Sequence, residues 1–135
     1  MARTSDDAPD VTDVEMEALH AVELGLEWLQ RANGMLVSFH HATGHAMDHL
    51  DDAERTLRAC GHDEFADELR DDLLPSGAVD ERWTYDLLET FQSGLLNEAT
   101  GFERRVRDDI ADGHSHVAER QQEREWRRRA REPDE

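Results

Sequence analysis

The fold is decided by residues 13–59, which read DVEMEALHAVELGLEWLQRANGMLVSFHHATGHAMDHLDDAERTLRA. Apolar and small residues recur there in alternating steps of three and four, the spacing that places side chains on one face of an α-helix. They form two neighbouring stripes. Stripe 1 consists of Leu19, Val22, Leu26, Leu29, Asn33, Leu36, His40, Thr43, Met47, Leu50, Glu54 and Leu57. Stripe 2 consists of Gly25, Trp28, Ala32, Met35, Phe39, Ala42, Ala46, His49 and Ala53.

The two stripes indicate one long helix. An Asn-Gly dipeptide at 33–34 is a common helix end, but both stripes keep their phase across it. A loop would reset the phase, so the pattern favours one helix over 13–59, with two helices broken at the dipeptide as the alternative. Thr12 or Asp13 is predicted to cap its start, and Gly61 is predicted to end it in a left-handed conformation.

Two further helices are predicted after residue 60. A short amphipathic helix is expected over 63–74, where a Pro-Ser-Gly run stops it. Asp80 is expected to cap a second long helix. Val117 keeps the phase of that helix beyond an Asp-Gly dipeptide at 112–113, which favours its continuation. Its apolar face is formed by Leu88, Phe91, Leu95, Ala99, Phe102, Val106 and Ile110.

These elements predict an all-α protein, a long antiparallel helical hairpin with a short connecting helix. Stripes 1 and 2 together are wider than one partner helix covers. The hairpin is therefore expected to form a helical bundle. We favour a four-helix bundle made by dimerisation over a self-contained bundle made by a break at Gly34. The predicted organisation is a flexible acidic N-terminus at 1–12, a helical bundle domain at 13–118 and a charged, Arg-rich helix or tail at 119–135.

The charge balance indicates a halophilic protein. The chain of 135 residues has 33 acidic residues, 15 arginines and no lysine, which gives a formal net charge of −18. At molar ionic strength the Debye length is roughly 3 Å, so repulsion between surface carboxylates nearly disappears. A cytoplasmic location is expected, because residues 1–10 lack a secretory signal and no stretch reaches the ~18 apolar residues of a membrane span. The single cysteine, Cys60, allows no internal disulfide.

A histidine cluster is the one stretch with evident chemical character. His41, His45 and His49 are spaced four residues apart on one helix face, where an i,i+4 pair can bind one transition metal. An antiparallel hairpin that turns within 60–79 would place Glu98 opposite His41. The candidate metal ligands are therefore His41, His45, His49 and Glu98, and the candidate ions are Zn and Fe.

The histidines also have a structural interpretation in which no cofactor is bound. They can be polar groups that form hydrogen bonds across a packed interface, or adjacent imidazoles that act as a pH switch. Glu17 and His20 match the Glu-x-x-His motif of di-iron bundles once, without the second copy that such a site needs. The segment His114-Ser115-His116 is interpreted as a polar stretch near a helix joint.

The C-terminal segment reverses the sign of the charge. Residues 120–131 contain six arginines and two glutamates, a balance that would suit nucleic acid or an acidic partner. A contact with about six phosphates loses roughly six to seven decades of affinity between ~0.15 M and ~3 M salt. Nucleic acid is therefore disfavoured, and the segment is expected to lie against an acidic surface of its own chain or of a sister subunit.

Several short runs between about 16 and 131 carry a resemblance to known sequences. They are Arg31-Ala32-Asn33-Gly34, Phe39-His40-His41-Ala42, Gly44-His45-Ala46-Met47-Asp48-His49, Gly61-His62-Asp63, Leu73-Leu74-Pro75, Trp83-Thr84-Tyr85 and Arg124-Glu125-Trp126. Together they resemble an uncharacterised family of small acidic helical proteins from haloarchaea. The resemblance implies a cytoplasm of high salt concentration. It does not assign any activity to the chain.

The leading functional hypothesis is a non-enzymatic helical module that self-associates and also offers a surface to a protein partner. No residue is predicted to be catalytic, and no membrane contact is expected. The first alternative is a metal-binding helical bundle that uses His41, His45 and Glu98, with or without enzymatic activity. The second alternative is a nucleic-acid-associated regulator that acts through the Arg-rich segment.

Overall fold

The computed structural model describes residues 9–131, which fold into helices and connecting turns, so the all-α prediction is confirmed. No strand occurs in this range, which contains one isolated bridge between Val79 and Arg82. The α-helices are α1 (Asp13–Ala59), α2 (Asp63–Glu68), α3 (Thr84–Phe91), α4 (Asn97–Ala111) and α5 (Val117–Arg131). A π-helical turn (Leu69–Leu73) and a 3₁₀ turn (Leu74–Ser76) follow α2, and a second π-helical turn (Gln92–Leu96) joins α3 to α4. Within 9–131, no helix combines the length and the hydropathy that a membrane crossing requires.

Helix α1 is continuous for 47 residues, so the prediction of one helix is confirmed and no break occurs at Gly34. Its start is fixed by a capping box. The Glu15 N–H donates to Thr12 Oγ1 at 3.1 Å, and the Thr12 N–H donates to Glu15 Oε1 at 2.9 Å. Of the two predicted caps, Thr12 is therefore the one used.

Gly61 closes the other end of α1 in the left-handed conformation that the sequence predicted, with φ +91°. Its N–H donates to the Arg58 carbonyl at 3.2 Å. The following N–H, that of His62, donates to the Leu57 carbonyl at 2.8 Å, which completes a Schellman motif. The predicted short helix then follows as α2 and its π-helical turn, with Leu69 buried.

A tight turn stands where a helix cap was predicted at Asp80. Asp80 and Glu81 have φ angles of 50° and 64°, and the Arg82 N–H closes the turn by donating to the Val79 carbonyl at 2.9 Å. Helix α3 begins only at Thr84, without a side-chain cap. The prediction was wrong because Asp80 occupies the left-handed region, which aspartate tolerates better than most residues, and so belongs to the turn.

The predicted second long helix is interrupted at two places. Gly94 is non-helical (φ −94°, ψ −108°), so α3 and α4 are separate helices. Helix α4 ends where Asp112 and Gly113 adopt left-handed φ angles of 50° and 82°. The expected continuation to Val117 was therefore wrong, because consecutive left-handed residues cannot extend a right-handed helix. Val117 instead begins α5.

The described chain divides into two units, and α1 contributes to both. One unit contains residues up to Leu29 together with those from Leu96 onward, and the other is Gln30–Leu95. The core of the first unit is formed by Leu19, Ala111 and Val117, so it joins the start of α1 to the end of α4 and the start of α5. The apolar residues packed against this core are Val11, Met16, Val106 and Ile110.

The unit Gln30–Leu95 is held by polar contacts as well as by apolar ones. His40 Nδ1 and Thr84 Oγ1 are hydrogen-bonded at 2.6 Å, and Thr84 is only 6% exposed. Arg58, in the last turn of α1, donates to Glu54 at 3.3 Å and to Asp67 of α2 at 2.9 Å. The last turn of α1 and the start of α3 are thereby fixed within this unit.

Stripes 1 and 2 of α1 differ sharply in burial. All twelve positions of stripe 1 are buried or half-buried, whereas seven of the nine positions of stripe 2 are exposed. The intramolecular packing of α1 therefore uses stripe 1.

The predicted domain boundaries can be compared with the structure only in part. Residues 1–8 and 132–135 lie outside the described range, and most of the predicted flexible N-terminus (1–12) falls there. The predicted boundary at 118/119 lies inside α5, which begins at Val117. The division into a bundle domain and a tail stays a prediction.

Candidate functional site

The predicted metal ligands lie at exposed positions. His41, His45 and His49 follow one another on successive turns of α1, in the unit Gln30–Leu95. Glu98 is exposed in the first turn of α4, in the other unit. Metal binding by these four residues stays a prediction.

The simple antiparallel register used in the sequence argument does not hold within the unit Gln30–Leu95. That argument took 60–79 as a simple turn, and it would place Ala99 opposite His40. In the unit Gln30–Leu95, the residue hydrogen-bonded to His40 is Thr84, because the tight turn at 79–82 already returns the chain to α1. The placement of Glu98 opposite His41 stays a prediction.

A different set of histidines and glutamates converges in the first unit. His20 and Glu23 lie three residues apart on α1, and His116 and Glu119 lie three residues apart at the start of α5. The two segments read His-Ala-Val-Glu and His-Val-Ala-Glu. His20 and Glu23 share one side of α1, because residues three apart on a helix are neighbours. His116 immediately precedes α5, and its Nδ1 lies 3.9 Å from Glu119 Oε2. We call these four residues the His–Glu cluster.

The side chains of the His–Glu cluster approach one another closely. His20 Nδ1 is 3.6 Å from Glu119 Oε2, and His116 Nδ1 is 3.8 Å from Glu23 Oε2 and 3.9 Å from Glu119 Oε2. One ligand atom from each of His20, Glu23 and Glu119 lies within 4.8 Å of the other two. Among residues 9–131, this is the group of three or more His, Cys, Asp and Glu side chains that meets such a distance criterion.

The apolar core of the first unit positions the His–Glu cluster. Leu19 and Val117 are buried neighbours of His20 and His116 in the sequence, and both belong to the core cluster with Ala111, so this core brings the two segments together. His116 has a left-handed φ of 58°, and its N–H donates to Glu23 Oε1 at 3.0 Å. Glu23 thus fixes the start of α5 with one of its two carboxylate oxygens.

Two atoms of the His–Glu cluster are buried without a hydrogen-bond partner. Glu23 is only 9% exposed, and its Oε2 has no donor, although its Oε1 has one. His20 Nδ1 is likewise buried and unpaired. A buried carboxylate oxygen or imidazole nitrogen without a partner costs about 1–3 kcal/mol, so both atoms mark places where a ligand would be favoured.

Sequence reasoning missed Glu23, His116 and Glu119 as members of a site. The segment 114–116 does form a helix joint, as predicted, but its polar character also serves the His–Glu cluster. The available signal was the repeated His-x-x-Glu spacing at 20–23 and 116–119, which a search for the opposite order, Glu-x-x-His, passes over.

Stripe 2 forms the second candidate surface. In the unit Gln30–Leu95 it contains Met35, 68% exposed, and Phe39, 42% exposed. Ala42, Ala46 and His49 continue it along α1 and are exposed as well. An apolar face of this length is uncommon on a chain that functions alone.

The Arg-rich segment forms α5 and is exposed throughout 119–130. Glu123 pairs with Arg127 at 3.4 Å, and Glu125 pairs with Arg128. Arg120 donates to the Ser115 carbonyl at 3.1 Å. The expected contacts of this segment with an acidic surface, and the nucleic-acid alternative, stay predictions.

No protein-family model matches this chain, and no curated protein and no solved structure is significantly similar to it.

Proposed function

We propose that this protein is a non-enzymatic helical module that self-associates in concentrated salt, with stripe 2 as its interface and a second copy of the chain as its partner. The proposal is carried by the difference in burial between stripes 1 and 2. Stripe 1 supplies the packing face inside the molecule. Stripe 2 has the same three-and-four spacing, which is the spacing of a coiled-coil seam.

The exposed apolar side chains of stripe 2 supply a driving force for pairing. Met35 and Phe39 are 68% and 42% exposed. Burial of such a side chain from full exposure stabilises by about 1.5–3 kcal/mol, so each of these two residues can gain only the part that corresponds to its exposed fraction. A symmetric pair gains it from both copies. A two-fold interface uses the same face on both copies, so no second kind of surface is needed.

The order of large and small residues along stripe 2 favours antiparallel pairing. The large residues Met35 and Phe39 lie in its first half, and the small residues Ala42 and Ala46 lie in its second half. An antiparallel pair centred between positions 40 and 41 sets Phe39 against Ala42 of the second copy and Met35 against Ala46. Large residues facing small ones fill the seam evenly.

Parallel pairing would serve stripe 2 poorly. It would set Phe39 against Phe39 and Met35 against Met35, and it would leave gaps where alanine faces alanine. Unfilled apolar gaps lower stability because the atoms that line them lose contacts. The antiparallel arrangement is therefore the one that we propose.

The charge of the chain makes the proposed association dependent on salt. Each copy has a formal net charge of −18. At ~0.1 M salt the Debye length is about 10 Å, so two such copies repel one another, whereas at 1 M it is about 3 Å and the repulsion is largely screened. Apolar burial then determines whether the copies pair.

The test is light scattering and sedimentation of the full chain in ~3 M KCl. The unaltered protein is expected to have the mass of two chains over a range of concentrations. Phe39→Glu places a carboxylate in the seam and should shift the dissociation constant by at least about tenfold, since burying an unpaired charge costs several kcal/mol.

Phe65→Glu is the matched control, because Phe65 is 63% exposed and belongs to α2 and not to stripe 2. It should leave the mass unchanged, and circular dichroism should show equal helix content in both variants. Two results would refute the proposal. One is that the unaltered protein is monomeric in ~3 M KCl. The other is that Phe39→Glu and Phe65→Glu weaken the dimer equally.

A further inference from the structure

We propose that the His–Glu cluster, formed by His20, Glu23, His116 and Glu119, binds one divalent transition-metal ion of the Zn²⁺ or Fe²⁺ class. The site lies within the first unit and shares no residue with stripe 2. It is therefore independent of the proposed self-association. It also differs from the metal site that the sequence predicted at His41, His45, His49 and Glu98.

The spacing of the ligand atoms fits a single ion. In a tetrahedral site with ligand distances of about 2.0–2.1 Å, neighbouring ligand atoms lie roughly 3.3 Å apart. Three of the six separations among the four ligand atoms, between imidazole Nδ1 and carboxylate Oε2 atoms, are 3.6, 3.8 and 3.9 Å, which is within about half an ångström of that value. The ligand atoms of His20, Glu23 and Glu119 lie within 4.8 Å of one another, and His116 would complete the set. Small side-chain rotations would bring these atoms to coordination distance.

The chemistry of the four side chains fits the same class of ion. Two imidazoles with two carboxylates form a mixed nitrogen and oxygen set, which zinc and iron accept readily and which Mg²⁺ or Ca²⁺ seldom uses. The two carboxylates supply two negative charges, so a divalent cation would neutralise the site. Inner-sphere bonds of this kind persist in concentrated salt, where simple ion pairing is screened.

The unpaired buried atoms are the independent observation in favour of a ligand. Glu23 is only 9% exposed. Its Oε2 lies 3.8 Å from His116 Nδ1 and has no hydrogen-bond partner. His20 Nδ1 is buried and unpaired at 3.6 Å from Glu119 Oε2. Both atoms belong to the set that would coordinate the ion, so one ion would satisfy both.

The role of Glu23 in fixing α5 does not account for these unpaired atoms. The bond from the His116 N–H uses Glu23 Oε1 and leaves Oε2 without a donor. A purely structural glutamate could turn Oε2 toward solvent or toward a donor. Here Oε2 lies 3.8 Å from His116 Nδ1, and a carboxylate oxygen of Glu23 lies within 4.8 Å of ligand atoms of His20 and Glu119.

The test uses the full chain without a His-tag, stripped with a chelator and then titrated with Zn²⁺ in ~3 M KCl. Elemental analysis after desalting is expected to find about one zinc per chain, and bound zinc should raise the unfolding temperature. Substitution by Co²⁺ should give the visible absorption of a tetrahedral nitrogen and oxygen site.

The variants separate the His–Glu cluster from the site predicted by the sequence. His20→Ala and Glu119→Gln alter half-buried or exposed residues and should each weaken zinc binding at least about tenfold, without loss of helix content. Glu23→Gln keeps an acceptor for the His116 N–H but should weaken zinc binding similarly. His45→Ala and Glu98→Gln, the matched controls, should leave it unchanged.

Three outcomes would overturn the proposal. The first is a chain that retains no zinc after desalting. The second is zinc binding that His20→Ala and Glu119→Gln leave intact, and the third is zinc binding that His45→Ala abolishes. None of these outcomes bears on the oligomeric state, which light scattering measures separately.

Discussion

The backbone N–H of His116 donates to Glu23 Oε1 over 3.0 Å, although the two residues are 93 positions apart in the sequence. This single bond links the first third of α1 to the residue that immediately precedes α5. It also explains how His116 can hold a left-handed φ of 58°, since the contact compensates a conformation that L-residues seldom adopt.

Replacing Glu23 by alanine should destabilise the protein. The His116 N–H would lose its acceptor at the start of α5, and loss of a helix N-terminal acceptor costs about 0.5–2 kcal/mol. Glu23→Gln should cost less, because its amide oxygen can still accept that bond. Denaturant unfolding of the metal-free protein in ~3 M KCl measures both variants. Equal losses in the two would show that the bond to His116 contributes nothing.

Thr84→Val should destabilise the unit Gln30–Leu95. Thr84 is 6% exposed and hydrogen-bonded to His40 Nδ1 at 2.6 Å. Valine has nearly the same shape but cannot form the bond, so His40 would be left unpaired at a cost of about 1–3 kcal/mol. Thr90→Val is the comparison, because it also removes a hydrogen bond, the one that Thr90 Oγ1 accepts from Arg82 at 2.9 Å, but at an exposed position of the same helix. Thermal unfolding should show a loss at Thr84 and a much smaller one at Thr90.

Two glycine substitutions should have opposite effects on stability. Gly77 has φ +79°, and an added Cβ would lie 2.6 Å from the backbone carbon of Glu81, so Gly77→Ala should be destabilising by at least about 1 kcal/mol. Gly44 lies within α1 with nothing within 4 Å of an added Cβ, so Gly44→Ala should be stabilising by roughly 0.5–1 kcal/mol. Unfolding temperatures measure both, and a gain at Gly77 would contradict the strain argument.

The parts of the fold that could be predicted depend on local chemistry. The unbroken phase of two stripes identified α1 correctly, and it outweighed the Asn-Gly dipeptide at 33–34. Gly61 was recognised as a left-handed helix end because glycine adopts positive φ without strain. Both inferences need only residues within one or two helical turns of each other.

The features of the fold and of the candidate site that the sequence did not predict depend on tertiary structure. Gly94 interrupts the second long helix although the apolar spacing continues across it, so periodicity alone cannot locate the break. Asp80 is equally suited to a helix cap and to a left-handed turn, and the return of the chain toward α1 decides between them. The His–Glu cluster joins residues of two distant segments that the shared core of Leu19, Ala111 and Val117 brings together.

Cys60 has a practical consequence, because it is the sole cysteine and it is exposed immediately after α1. A nitroxide spin label on this thiol occupies one defined site per chain. In the antiparallel dimer proposed above, at 1.5 Å of rise per residue, two such labels would be separated by about 58 Å along the helix axis. A parallel dimer would hold them roughly 10 Å apart, plus the length of the label arms. Dipolar electron paramagnetic resonance spectroscopy resolves that difference. Labelling the one native thiol therefore distinguishes antiparallel from parallel pairing.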